Sequence, residues 1–235
     1  EKARAWRGRN AMGDVRERPI LFSGEMVRAI LAGRKTQTRR LVRGQKRVVD
    51  GATIFDSPPW AANDAAVYED GAKMLRCPYG APGDRLWVQE SHTLELTGGS
   101  WVRVETHVDW ERHVVEVDFE TLEKLSAQKT VRNRSGRPGR FMPRWASRIT
   151  LEVVSVRAER LHDIAEEDAR AEGVRPFFET LGPTISREQT ITTGERAADA
   201  EHRAGFALLW DELNEGRATW KSNPWVWRVE FRRMR

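Results

Sequence analysis

The stretch from Leu31 to Arg40, LAGRKTQTRR, has the clearest potential for chemistry in this sequence. Lys35 is one of only seven lysines among 40 basic residues, and lysine, unlike arginine, can lose its proton when it is removed from water. Neighbouring arginines would lower its pKa further. A threonine hydroxyl, as in Thr36 and Thr38, becomes a useful nucleophile only beside a base. In a regular strand Lys35 and Thr38 would point to opposite faces, so they can meet only if the segment turns.

The same stretch also has a structural interpretation. Gly33 follows an apolar helical pattern and suits a left-handed C-cap, and the cations after it would complement the helix dipole. A phosphate-binding loop is excluded, because the G-x-x-x-x-G-K-[ST] pattern must follow a strand and its spacing is not matched here. The residues alone therefore leave a catalytic loop and a solvated helix end as the two open interpretations.

Other kinds of site have weaker support in the sequence. The histidines lack the i, i+2 or i, i+4 spacing of zinc ligands, and Cys77 has no C-x-x-C partner, so we expect no metal site. No G-x-S-x-G motif supports a Ser/His/Asp site. Cys77 is better interpreted as a packed loop thiol than as a nucleophile. The ten tryptophans fit core positions on strands, although one or more could stack on a nucleobase. The histidines are His92, His107, His113, His162 and His202.

The charge balance bounds the possible partners. A net charge of +5 and a pI of about 9.7 invite a nucleic-acid interpretation. Residues 1–18, however, hold six basic and three acidic side chains, which leaves the other 217 residues with a charge of only +2. Any basic face must therefore come from local patterning. With no apolar run of ~20 residues, no apolar leader core and a single cysteine, we expect a cytoplasmic protein without membrane segments.

The order of predicted elements indicates the fold class. Residues 1–18 are predicted to be a disordered or artificially added tail, and residues 19–235 a single domain. Ser23 is a good N-cap for a helix over 24–32. Strands and helices do not alternate as β-α-β-α, which favours an α+β fold: a small mixed, partly open barrel with flanking short helices. Further strands are predicted over 85–90, 101–108, 113–119, 148–156 and 225–231, and further helices over 163–173, after an Asp163–Glu166 capping box, and over 197–214.

Three insertions are predicted in this domain, near 43–80, 91–140 and 176–196. The first is rich in proline and glycine and is predicted to be a long loop. The second contains the strand pair at 101–108 and 113–119, followed by a basic, mobile segment over 128–140. The third is polar.

Four blocks of the sequence resemble an ASCH domain of the PUA-like superfamily, in the expected order. Together they cover 37 of the 235 residues, and the remaining pattern is similar to larger phage- and prophage-encoded ASCH proteins. The blocks are LAGRKTQTRR (31–40), PGDRLWV (82–88), DIAEEDARAEGV (163–174) and PWVWRVEF (224–231).

The resemblance implies a small, partly open β-barrel and a link to RNA or modified nucleobases. The best-defined enzymes of this group are metal-independent amidohydrolases that remove the acetyl group from N(4)-acetylcytidine and need no cofactor. By their motif, Lys35, Thr38 and Glu172 would be catalytic. The candidate substrate-binding residues are Thr36, Arg40, Trp87 and Glu90, with Glu90 either reaching the site or pointing outward from its strand.

The leading hypothesis is hydrolysis of the exocyclic amide of an N(4)-acylated cytosine or cytidine. Thr38 would attack the acyl carbon and Lys35 would take its proton, while Glu172 orients Lys35 or activates the deacylating water. Arg40, with backbone amides of the loop, would stabilise the oxyanion. In an equally compatible variant, Glu172 activates water directly and Lys35 stabilises the oxyanion. The loop would leave Arg34 and Arg39 in solvent.

Two other hypotheses stay open. An RNA- or modified-base-binding module without catalysis would use the loop arginines and the 128–140 segment to contact phosphates. A phage accessory protein would use the insertions to bind host proteins. The partners expected under the leading hypothesis are a small nucleoside or nucleobase, with weak contact to RNA or DNA and no membrane.

Overall fold

The computed structural model describes residues 15–42, 66–69, 73–128, 131, 135–176 and 201–234. These residues form ten β-strands, four α-helices and short 3-10 turns. The strands are β1 (Glu17–Leu21), β2 (Gln37–Leu41), β3 (Ala66–Glu69), β4 (Lys73–Arg76), β5 (Arg85–Gln89), β6 (His92–Gly98), β7 (Trp101–Thr106), β8 (Arg112–Glu116), β9 (Thr150–Arg160) and β10 (Trp225–Arg233). The helices are α1 (Gly24–Leu31), α2 (Phe119–Ser126), α3 (Glu166–Ala171) and α4 (Glu201–Leu213).

A five-stranded sheet in the order β1-β5-β9-β10-β2 carries the fold. β1 runs parallel to β5, and the other neighbours are antiparallel. A three-stranded sheet (β6-β7-β8) and a hairpin (β3-β4) complete a mixed α+β architecture, as the order of predicted elements indicated. β1 begins at Glu17, inside the segment predicted as a tail, and residues 1–14 of that segment lie outside the described residues.

Both faces of the five-stranded sheet are covered by apolar clusters, and β10 contributes side chains to both. Trp227 belongs to the main core, which includes Val27 and Ile30 of α1. The neighbouring Val226 belongs to a second cluster, which includes Phe206 of α4. Successive side chains of a strand point to opposite faces, so α1 packs on one face and the α3–α4 pair on the other. The predicted alternation of the last strand is confirmed.

The described residues of the predicted insertion, 91–128, 131 and 135–140, include regular elements of the fold. Its strands form the β6-β7-β8 meander, where the sequence predicted only a strand pair, and the meander packs with α2 around Val102 and Leu125. Residues 135–140, part of the segment predicted to be mobile, make specific contacts with the rest of the fold. Arg137 forms a backbone bridge with His92, and Gly139 is buried where a Cβ would lie 2.9 Å from Leu21 Cδ1.

The first and third insertions fall largely outside the described residues. In the region predicted to be a long loop, the β3-β4 hairpin is an ordered element. The region 176–196 lies outside the described residues from 177 onwards.

The helix before Gly173 is shorter than predicted and starts differently. It begins at Glu166 after an Ala165 N-cap without a side-chain hydrogen bond, so the predicted capping box is wrong. The Glu166 carboxylate instead accepts hydrogen bonds from the backbone N–H groups of His202 (2.7 Å) and Arg203 (2.9 Å) in the first turn of α4. Glu166 thereby joins the two helices. Among the described residues, no helix has the length and apolarity needed to cross a membrane.

Candidate active site

The turn after α1 sets the position of Lys35. Gly33 has φ +71°, and its N–H donates to the Ile30 carbonyl (3.0 Å). The N–H groups of Arg34 and Lys35 both donate to the Ala29 carbonyl, at 2.8 and 3.1 Å. This is the predicted left-handed C-cap, in its Schellman form. It ends the helix and leads directly to a backbone bridge between Lys35 and Glu172.

Lys35 and Glu172 form a buried ion pair. Lys35 Nζ donates to Glu172 Oε2 at 2.8 Å and to the backbone carbonyl of the same residue at 2.8 Å. The lysine side chain is fully buried, and the glutamate side chain is 3% exposed. The contact joins residues 137 positions apart, and the sequence motifs had predicted both as members of one site.

Burial lowers the pKa of Lys35, because the ammonium form has lost its hydration. The Glu172 carboxylate opposes this effect, whereas the positive charges of Arg40 and Arg39 add to it. The neutral amine is therefore reached at a lower pH than in a solvated lysine, as the clustering of cations in the sequence suggested. A lysine with this property can accept a proton from a neighbouring hydroxyl.

Lys35 and Arg40 both lie close to the Phe22 ring. Lys35 Nζ lies 5.4 Å from the centre of the Phe22 ring, and the Arg40 guanidinium carbon lies 5.2 Å from the same centre. Lys35 precedes β2, and its Nζ also shares the Glu172 carboxylate with Arg39. Thr38 precedes Arg40 by two positions, so it lies on the same face of β2 as Arg40, and it is 2% exposed. In the described part of the chain its hydroxyl makes no hydrogen bond with Lys35.

Arg39 overturns one prediction. It was expected to be solvated, but its side chain is fully buried on the opposite face of β2. It makes ion pairs with Glu159 (2.6 Å), Asp168 (2.9 Å) and Glu172 (3.3 Å). The alternation of β2 explains the difference, because it turns Arg39 toward the face covered by α3. Arg39 is therefore not available for the predicted phosphate contact, whereas Arg34 is exposed as predicted.

Sequence reasoning missed the residues that surround Arg39. Asp168 accepts hydrogen bonds from both Arg39 and Arg228, the latter at 2.8 Å. Gln37 Nε2 donates to the Asp168 carbonyl at 2.7 Å. A signal was present, since Asp168 and Glu172 are four residues apart and therefore share one helix face.

For three predicted substrate-binding residues, Thr36, Trp87 and Glu90, the described structure shows no side-chain contact with Lys35 or Glu172. Thr36 is exposed and contributes through its backbone alone, donating to the Ala171 carbonyl at 2.9 Å. Trp87 is half-buried between the fully buried Leu86 and Val88, on the face of β5 turned away from the main core. Phe22, whose ring lies close to Lys35, belongs instead to that core.

Glu90 neither reaches Lys35 nor points outward. Its side chain is 1% exposed and binds Arg148 with both oxygens, each at 2.9 Å. The sequence predicted that Glu90 would either point outward or reach the site. In the structure it forms a buried ion pair with Arg148 instead.

Arg40, which the sequence predicted to bind an oxyanion, lies near the same Phe22 ring as Lys35. Its Nη2 donates to the Leu21 carbonyl at 2.7 Å, and its Nε is buried without a hydrogen-bond partner. The backbone amides of residues 33–36 all donate to carbonyl groups, so the loop does not offer them to an oxyanion. An unsatisfied cationic donor beside Lys35 is the group best able to receive a negatively charged oxygen.

Metal and thiol chemistry have no support in the described ranges. No group of three or more His, Cys, Asp or Glu side chains there is arranged to hold a metal ion. Cys77 is buried, and burial raises the pKa of its thiol to about 12, which suits the predicted packed thiol and not a nucleophile.

No family model matches this chain, and neither the curated proteins nor the solved structures contain a significant match. The resemblance to ASCH domains therefore rests on the four sequence blocks.

Proposed function

We propose that this protein is a metal-independent amidohydrolase that cleaves the exocyclic amide of an N(4)-acylated cytosine or cytidine. The observation that carries the proposal is the fully buried Lys35, whose Nζ lies 2.8 Å from Glu172 Oε2. The contact joins two of the three residues that the ASCH motif would make catalytic, and Thr38, the third, lies three residues from Lys35 in the chain.

We further propose that the five-stranded sheet is the partly open barrel of the PUA-like superfamily. The support is a contact between its two edge strands, where Arg40 of β2 donates to the Leu21 carbonyl of β1.

In the proposed reaction, neutral Lys35 takes the proton of the Thr38 hydroxyl as the oxygen attacks the acyl carbon. The tetrahedral intermediate collapses, the C–N bond breaks, and Lys35 returns the proton to the departing exocyclic amine. Water then hydrolyses the acyl-threonine to release the carboxylate. Arg40 stabilises the oxyanion in both steps.

The geometry favours an orienting role for Glu172 over direct activation of water. Oε2 accepts a hydrogen bond from Lys35 and Oε1 accepts one from Arg39. Both oxygens of the carboxylate are thus engaged by cations, and neither is left to take a proton from water. A carboxylate held in this way fixes the direction of the lysine amine toward its substrate.

The site is closed in this structure. Lys35, Thr38 and Glu172 are each at most 4% exposed, and Arg40 is the half-buried residue beside them. The proposal therefore includes an opening movement that admits the substrate. Exclusion of water after closure would strengthen the interactions of the charged groups within the site.

The test is hydrolysis of a panel of N(4)-acylated cytosines and cytidines by the wild type and matched variants. Lys35→Met and Glu172→Gln should lose about 10²- to 10⁴-fold in kcat/KM, the range for a general base and its partner. Thr38→Val should be equally impaired, whereas Thr38→Ser keeps the hydroxyl and should retain activity. Arg34→Gln alters an exposed neighbour and serves as the control.

The outcomes separate the mechanisms. An acyl adduct on Thr38, seen as the added mass of one acyl group, would support covalent catalysis. Full activity of Thr38→Val would instead support attack by water. An inactive wild type across all acyl groups would overturn the proposal. Oligonucleotide binding that weakens steeply with salt, without hydrolysis, would then support the binding-module alternative.

A further inference from the structure

The Glu172 carboxylate is shared between two cations that bind different oxygens. Lys35 Nζ binds Oε2 at 2.8 Å, and Arg39 Nη1 lies 3.3 Å from Oε1. Lys35 comes from the turn before β2, and Arg39 comes from the face of β2 that α3 covers. We propose that Arg39 is the positioning residue of this site: it holds Glu172 in the orientation that presents Oε2 to Lys35 and takes up part of its negative charge.

Arg39 itself has little freedom to move. Its Nε donates to Glu159 Oε1 at 2.8 Å and its Nη2 to Asp168 Oδ2 at 2.9 Å. Asp168 is fixed in turn by Arg228, at 2.8 Å. The planar guanidinium is thus anchored on two edges, which leaves Nη1 directed at Glu172. A lysine could not make these contacts together, because it presents a single ammonium group.

The charges around Glu172 are balanced only while Arg39 is present. Four cations face four carboxylates within the cluster, and the four side chains at its centre, those of Lys35, Arg39, Glu159 and Glu172, are buried. Without Arg39, the negative charge of Glu172 would act on Lys35 alone and would favour its ammonium form. Arg39 therefore assists Lys35 in becoming a neutral base, although the two cations do not act on the same oxygen. The cluster comprises Lys35, Arg39, Arg157, Arg228, Glu159, Asp168, Glu172 and Glu230, and Arg40 is a further positive charge that acts on Lys35.

The test is a titration of Lys35 followed by NMR with ¹³C-labelled lysine, which is practical because the chain contains only seven lysines. The Lys35→Met spectrum assigns the signal. In Arg39→Gln we expect the midpoint of the Lys35 titration to rise by about 1 pH unit, the effect of removing a neighbouring charge. This measurement needs no substrate, so it judges the positioning role even if the proposed amidohydrolase activity fails.

Where the proposed activity is present, on which the kinetic part of this inference rests, the acidic limb of the kcat/KM profile should move in the same direction. Arg228→Gln is the matched control, because Arg228 also binds Asp168 but does not contact Glu172. It should destabilise the protein and shift the Lys35 titration less than Arg39→Gln does.

Arg39→Lys provides a second measurement if Arg39→Gln does not fold. Because Arg39→Lys keeps the positive charge, the Lys35 titration should stay near that of the wild type. Because the variant loses the planar guanidinium, kcat should fall. If the protein has no activity, the Lys35 NMR signal should broaden instead. An unchanged Lys35 titration in a folded Arg39→Gln protein would overturn the inference. So would an Arg39→Lys protein that matches the wild type in every one of these measurements.

Discussion

Two buried ion pairs occupy different parts of this molecule, and they differ in the cation that each contains. Lys35 and Glu172 meet beside α3, and Arg148 and Glu90 meet between the five-stranded and three-stranded sheets. Both glutamates are at most 4% exposed, and both pairs join distant parts of the chain. By burial alone, the two pairs could not be told apart as candidates for a catalytic site.

The protonation behaviour of the cations separates them. Hydrogen bonds from Arg148 to Glu90 and Asp109 raise the pKa of the guanidinium, which outweighs the effect of burial. Burial lowers the pKa of Lys35, and the attraction of Glu172 does not outweigh it. An arginine held by several carboxylates stays charged and serves as a structural link. A lysine that shares its single carboxylate with a second cation can give up its proton and serve in catalysis.

The largest contrast should come from removing each cation. In Arg148→Met, Glu90 is left buried without its partner, and the loss of stability should be about 3–5 kcal/mol. In Lys35→Met, Glu172 keeps Arg39, so we expect a smaller loss of stability together with the loss of the proposed activity. Urea denaturation and hydrolysis assays on the folded proteins measure the two effects.

The double variant Glu90→Gln, Arg148→Met is the control for this contrast. It removes the uncompensated charge as well as the cation, so it should recover part of the stability lost in Arg148→Met. An inactive but stable Arg148→Met protein, or an active Lys35→Met protein, would show that the comparison assigns the roles wrongly.

The features that the sequence predicted correctly rest on short-range signals. Ser23 caps α1, and its side chain accepts from the Met26 N–H at 3.4 Å. Gly33 ends the helix because a left-handed residue is needed there, and the alternation of β10 follows from its two covered faces. The pairing of Lys35 with Glu172 was predicted because a motif joined two distant blocks. Their spacing carried no such information.

The features that were missed depend on partners far away in the chain. Nothing near Glu90 signals that Arg148, 58 residues later, will enclose it. Nothing near Glu166 signals that its carboxylate will cap α4, because the local pattern suggests a capping box with Asp163 instead. Charged residues are usually solvated, so a buried arginine such as Arg39 is recognised only once its carboxylate partners have been placed around it.

The second contrast concerns pH, and it involves His92 beside the Glu90 pair. This side chain is fully buried, with Nδ1 3.0 Å from the Glu90 carbonyl and with Nε2 lacking a partner. Burial lowers its pKa from 6.5 to about 4. Between these values the unfolded chain binds a proton that the folded protein does not, so stability falls as the pH drops through this window. The loss should reach ~3 kcal/mol by pH 4.

His92→Asn keeps a donor near the position of Nδ1 and removes the titration. The free energy of unfolding, measured by urea denaturation at several pH values, should therefore depend less steeply on pH between 6.5 and 4 in this variant than in the wild type. Parallel curves for the two proteins would mean that His92 does not titrate as its burial requires. Lys35 affects stability in the same direction at alkaline pH. Because its pKa is lowered from the ordinary value of 10.5, the folded state just below that pH again holds fewer protons than the unfolded chain, and stability falls as the pH drops.

The smallest contrast compares two glycines that flank the Lys35–Glu172 pair. Gly33 and Gly173 both have positive φ, at +71° and +77°, so alanine should cost about 1 kcal/mol at either position through backbone strain. A Cβ on Gly33 would meet open space, whereas a Cβ on Gly173 would lie 2.8 Å from Ala29 Cβ and 2.9 Å from Lys35 Cβ. Gly173→Ala should therefore lose a further 1–2 kcal/mol, roughly the cost of overpacking.

The contact with Lys35 should also affect chemistry, because the new methyl group must displace either the lysine backbone or α1. Under the proposed function, Gly173→Ala should lower kcat/KM in the folded fraction, while Gly33→Ala should lose stability alone. Thermal unfolding and hydrolysis assays on both variants make the comparison. Equal losses of stability and equal activities would mean that the close packing of Gly173 does not position Lys35, and that the hydrogen bonds to Glu172 are sufficient to hold the amine in place.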